Sequence, residues 1–124
     1  MPVKSVRSNP EFSFFLKGKS DYSLDLLDHF INEYGKIGTI LLEPTKSMIA
    51  LDNGGKRIAW ITQVGKDFIH VVFPFKKEYK DNLCFKKVAQ VPGSKQFNHH
   101  LRVLYTDDIN AEVKKYMKLA LKGE

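Results

Sequence analysis

The chain has one cysteine, Cys84, so it can close no internal disulfide. A lone thiol suits a reducing compartment. No stretch approaches the ~20 consecutive apolar residues that a membrane span requires. The start, Met1 to Pro10, is polar and lacks the apolar run of a signal peptide. These absences lead us to expect a cytoplasmic protein with no membrane partner. Repeats, low-complexity tracts and linkers are missing as well. A length of 124 residues then fits a single domain spanning 1–124, with 1–9 as a loose arm.

The chemistry-bearing patterns are just as sparse. No two ligands stand at zinc-ribbon or zincin spacing. His99 and His100 are adjacent, and neighbouring side chains on a strand point to opposite faces, so the two cannot grip one ion. Cys84 lies between Leu83 and Phe85 and reads as a small apolar filler; Lys86 and Lys87 stand beside it, but it has no identifiable base partner. The serines lack a nucleophile elbow. Gly54-Gly55 joins two strands instead of opening a helix, so it forms no phosphate cradle. Asp and Glu residues are scattered over helix surfaces and turns. We therefore expect no metal, no cofactor and no catalytic residue, and a binding protein in preference to an enzyme.

What the sequence does contain is pattern. Leu24, Leu27, Phe30, Ile31 and Tyr34 recur at helical spacing after a Ser20 or Asp21 cap, and Gly35 suits the helix end. Strands are expected over 36–43, 46–52, 56–63, 68–73 and 97–106, with Asp52-Asn53-Gly54-Gly55 as a hairpin turn. The stretch 68–73 is apolar on both faces apart from His70, as a central strand would be. Residues 83–91 fit a further short strand or a helical turn, and 10–16 form an apolar segment of open conformation. Thr106-Asp107-Asp108 opens a closing helix whose buried stripe is Ile109, Val113, Tyr116, Met117 and Ala120. The expected fold is α+β: an antiparallel sheet of about five strands with an N-terminal and a C-terminal helix packed on it.

Charge is the remaining signal. The net charge is +6, and residues 63–124 carry +5 of it. Lys46, Lys76, Lys77, Lys86, Lys87 and Arg102 are the candidate contacts to nucleic acid or another polyanion, with Phe75, Tyr79, Phe85 and Phe97 interleaved as stacking surfaces. The competing reading is a solvated lysine surface whose aromatics anchor the segment to the core. A second function class is protein interaction or homodimerisation, through Phe12 to Leu16 and an open sheet edge. A third is a small-ligand pocket formed by Trp60, His70, His99 and Tyr105.

Several stretches resemble a small bacterial and archaeal domain of unknown function, sometimes labelled a predicted transport protein. They are Thr45-Lys46-Ser47-Met48-Ile49-Ala50-Leu51, Arg57-Ile58-Ala59-Trp60-Ile61, His99-His100-Leu101-Arg102-Val103 and Thr106-Asp107-Asp108-Ile109-Asn110-Ala111-Glu112-Val113. Together they span roughly residues 10 to 121. The resemblance implies a compact α+β module, distantly related to folds that include a double-wing DNA-binding one. It brings no established catalytic residues with it.

Overall fold

The chain folds on the pairing of β-strands, which send most of their large apolar side chains to one layer of helices. The computed structural model describes residues 10–123; the arm expected at 1–9 lies outside the described residues. A 3-10 turn (Pro10–Phe12) leads into α1 (Ser13–Leu16), then α2 (Asp21–Ile37). The strands are β1 (Leu41–Pro44), β2 (Ile49–Asp52), β3 (Arg57–Val64), β4 (Ile69–Phe75), β5 (Phe85–Gln90) and β6 (Phe97–Val103). A 3-10 turn (Thr106–Asp108) and α3 (Ala111–Leu121) close the chain. The architecture is α+β, as expected, with six antiparallel strands in the order β1-β2-β3-β4-β6-β5 where about five were expected. The added strand is β5, which occupies the segment left between strand and helical turn.

Period-two alternation sorts the residues onto two faces. One row of partners, Ile49–Ile61–Val71–Leu101–Phe85, crosses five strands and belongs to the core, together with Leu27, Phe30, Ile31, Tyr34, Val113, Tyr116 and Met117 from the helices. The adjacent row, Glu43–Ala50–Trp60–Val72–His100–Lys87, crosses all six strands on the opposite face. Among the described residues no helix covers that face. Phe12, Phe15 and Leu16 of the N-terminal segment are buried in the same core, so this apolar segment is docked as a short helix.

Several boundaries differ from the sequence reading. Helix α2 runs through Gly35 and stops at Gly38, whose N–H bonds the Tyr34 carbonyl at 3.2 Å. The expected strand at 36–43 therefore shrinks to Leu41–Pro44. Two contacts hold the last turn helical past Gly35. The buried Tyr34 hydroxyl donates to the Met117 carbonyl at 2.8 Å, and Ile37 packs on the core. Helix α3 is capped by Asn110, which accepts from the Val113 N–H at 3.0 Å, instead of starting at Thr106-Asp107-Asp108. Asp108 instead accepts from the Leu104 and Tyr105 N–H groups. Strand β4 continues through Pro74, which lies past the last β3–β4 partner pair, Trp60–Val72, so its missing N–H costs no ladder bond on that side.

Candidate functional site: a basic patch on the open sheet face

Strand β4 pairs with β6, not with its sequence neighbour β5, and this brings His70 beside Arg102 and Val72 beside His100. His70 and His100 are thus diagonal neighbours on the open face. Their rings meet with His70 Nε2 2.9 Å from His100 Nδ1, so one nitrogen donates and the other accepts. On the far side of His100 lies β5, which carries a bulge: Phe85 opposes Leu101, yet Lys87 opposes His100. The bulge inserts one extra residue, so Lys86 and Lys87 both stand exposed beside the histidine pair.

The patch is positive without a compensating acid. Strands β4, β5 and β6 contain no Asp or Glu. Burial lowers the pKa of His70, and the charges that lower it further are His100, Lys86 and Arg102. Burial also lowers His100, with Lys87, Lys86 and His99 adding to the effect. The permanently charged groups that act on the pair, Lys86, Lys87 and Arg102, are all positive, which is the field that favours an anion. Arg102 stacks its guanidinium 4.7 Å from the Phe68 ring centroid. That ring lies against Gly65, where an added Cβ would sit 2.2 Å from a ring carbon.

The other end of the open face is balanced. Arg57 lies 5.1 Å from the Trp60 ring centroid, but Glu43 pairs with it at 2.8 Å and Asp52 at 3.7 Å. Positive potential therefore concentrates on β4, β6 and β5.

Of the six candidate polyanion contacts, Lys86, Lys87 and Arg102 share this patch. Lys46 sits in the β1–β2 turn at the opposite edge, about 20 Å or more away across the sheet. Lys76 and Lys77 follow β4, and Lys77 is drawn over the Tyr79 ring at 5.5 Å, toward the helix layer. Three of the four aromatics offered as stacking surfaces are otherwise occupied. Phe75, Tyr79 and Phe85 pack with His99 and Tyr116 at ring separations between 4.8 and 6.2 Å. They anchor the segment between β4 and β5 to the core. The sequence reading left two residues out of the patch, His100 altogether and His70 by assigning it to the pocket, and the missing acids in β4, β5 and β6 are the signal that could have found them.

The four candidate pocket residues are not brought together. Trp60 and His70 lie on the open face, whereas His99 is fully buried on the helix side. The His99 Nε2 accepts from the Tyr79 N–H at 3.1 Å and its Nδ1 donates to the Phe97 carbonyl at 2.9 Å, which fixes it as a neutral core residue. Tyr105 lies beyond β6 in a shallow cleft with Tyr22, Asp67 and Leu104. Among the described residues no group of three His, Cys, Asp or Glu side chains could hold a metal ion. None of the described helices is long and apolar enough to cross a membrane. No protein-family model matches the chain, and no curated protein or solved structure is significantly similar to it.

Proposed function

We propose that the chain is a non-enzymatic binding module that holds nucleic acid, or another phosphate polymer, on its open sheet face. The observation that carries this reading is the cluster of His70, His100, Arg102, Lys86 and Lys87 on three adjacent strands that contain no acid. Lysine heads and the Arg102 guanidinium would neutralise phosphates without reading bases. The histidine pair would add charge as it takes up a proton beside a bound phosphate.

Sheet-edge self-association finds less support. Strand β1 has four residues and ends at Pro44, and β5 is bulged at its lysines. Both are devices that blunt edge-to-edge pairing.

Fluorescence anisotropy with labelled single-stranded DNA and RNA tests the reading. Affinity should fall steeply between about 50 and 200 mM salt, because each phosphate contact releases counterions. Charge reversal at Lys86, Lys87 and Arg102 together should weaken binding by about tenfold or more, while Lys46→Glu should leave it close to wild type. Flat titrations with both polymers at low salt would remove the proposal.

A further inference from the structure

A second basic surface lies on the other side of the molecule, and its composition differs from that of the sheet face. The C-terminal turn of α2 and the length of α3 enclose an open groove of about 780 Å3. Five lysines line it: Lys36, Lys114, Lys115, Lys118 and Lys122. Its remaining lining residues, Ile37, Ala111 and Leu119, form an apolar floor, and none of the eight is acidic.

The groove is held in shape from several sides. Tyr34 bonds the Met117 carbonyl at 2.8 Å, which joins the two helices at mid-groove. Asn53 bonds the Leu121 carbonyl at 3.0 Å, and Lys56 bonds the Gly123 carbonyl at 2.9 Å, so the end of α3 is tied to the β2–β3 hairpin. At Gly38 an added Cβ would stand 2.4 Å from the Leu121 side chain, so the chain leaving α2 passes close under α3. Glu33 occupies one end, pairing with Lys36 at 2.7 Å and with Lys114 at 3.0 Å. Lys115 lies 5.1 Å from the Tyr116 ring centroid. Lys118 and Lys122 have no acidic partner among the described residues, and they stand on one side of Leu119.

We propose that this groove docks an acidic amphipathic segment of a protein partner. Charge complementarity selects the sign of the occupant. The apolar floor selects a peptide over a bare polyanion, because a phosphate backbone has nothing to place on Ile37 and Leu119. The groove holds no arginine and no aromatic face on which a base would stack. Helix α3 has eleven residues, a length of about 16 Å at 1.5 Å per residue. That is room for about three turns of a helix whose leucine-type side chains recur at i, i+4 and i+7, laid down with its carboxylates over the lysine rim. A membrane surface fits less well, because the apolar stripe of α3 is already spent on Val113, Tyr116, Met117 and Ala120 in the core. This inference does not depend on the sheet face: the two surfaces lie on opposite sides of the sheet and share no residue.

The test uses the full chain and a labelled peptide about fifteen residues long, made of Glu and Ala with leucines at i, i+4 and i+7 spacing. A scrambled peptide of equal composition, single-stranded DNA, and vesicles of phosphatidylserine and phosphatidylcholine serve as comparisons. The patterned peptide should bind several-fold more tightly than the scrambled one. Lys118→Glu with Lys122→Glu should weaken it by about tenfold. Lys86→Glu with Lys87→Glu should leave it unchanged, although the same pair should impair DNA binding if the sheet-face reading holds. Both pairs are exposed, and unchanged circular dichroism melts would confirm that the variants fold. The proposal is overturned if the scrambled peptide binds equally well, or if the groove variant binds the patterned peptide like wild type. It is also overturned if DNA or vesicles bind more tightly than the peptide and lose that binding through Lys118 and Lys122.

Discussion

His70 and His100 share a ring-to-ring hydrogen bond, 2.9 Å from Nε2 to Nδ1, on a sheet face where Lys86, Lys87 and Arg102 act on them. Such a bond needs one nitrogen with a proton and one without. Doubly protonating the pair would break it and add charge to an already positive field. A phosphate brought into the patch would reverse that balance, since it accepts from both rings.

The first prediction concerns stability and pH. His70, His99 and His100 all have folded pKa values lowered chiefly by burial. The unfolded chain, with histidines near ~6.5, therefore binds protons that the folded chain refuses. Their contribution is complete above that value and drains away as pH falls through it. For His99 the structural cost is specific: a proton on Nε2 removes the acceptor of the Tyr79 N–H. Glu33 acts in a lower window. Its bonds to Lys36 and Lys114 hold its carboxyl at about 2, so its contribution fades as pH drops below the ordinary value of 4.5. Urea melts at pH 7.5, 6 and 5 should show a steady fall in midpoint. A midpoint that rises toward pH 5 would contradict the neutral assignment of all three rings.

How far this was legible in the sequence depends on whether a feature is local. The stripe Leu27, Phe30, Ile31 and Tyr34 announces α2 because helical periodicity is local, and the outward placement of His100 and Arg102 follows from alternation in β6. The end of α2 was hidden, because Gly35 is a plausible cap and the helix is held past it by the distant Tyr34–Met117 bond and the packing of Ile37 on the core. The patch was half legible. A regular strand would send Lys86 and Lys87 to opposite faces, and only the bulge against His100 leaves both beside the pair. The meeting of His70 and His100 depends on β6 inserting between β4 and β5, a pairing that no short-range pattern encodes. The groove along α3 was not legible, since its apolar floor includes Ile37 from a turn expected to be strand.

A second prediction tests the packing beneath Arg102. An alanine at Gly65 would put its Cβ 2.2 Å from one Phe68 ring carbon and 2.5 Å from another, so the ring must leave its place under the guanidinium. Overpacking of this kind costs about 1–3 kcal/mol, against a gain of about 0.4–1 kcal/mol from a less flexible unfolded chain. Gly65→Ala should therefore destabilise by about 1 kcal/mol. In a Phe68→Ala background the obstacle is gone, and the same substitution should become neutral or mildly stabilising. Equal costs in both backgrounds would mean that the ring is not what Gly65 accommodates.

The third prediction concerns the single thiol. Cys84 is half-buried, and burial together with the Glu112 carboxylate pushes it up from 9.0 to about 12. Only the thiolate attacks an alkylating reagent, so at pH 8 the folded protein should react with iodoacetamide on the order of a thousandfold more slowly than the unfolded chain. Glu112→Gln isolates the two causes. The amide oxygen can still accept from the Leu83 N–H, which now bonds Glu112 at 2.9 Å, so the segment stays anchored while the negative charge is lost. Labelling should then quicken several-fold in the folded state and remain unchanged in urea. If wild-type Cys84 is alkylated as fast folded as unfolded, the segment around Leu83, Cys84 and Phe85 opens faster than the reagent attacks. The aromatic cluster of Phe75, Tyr79, Phe85 and Tyr116 would then not be holding that segment closed, and the loop leading into Lys86 and Lys87 could not present a fixed patch.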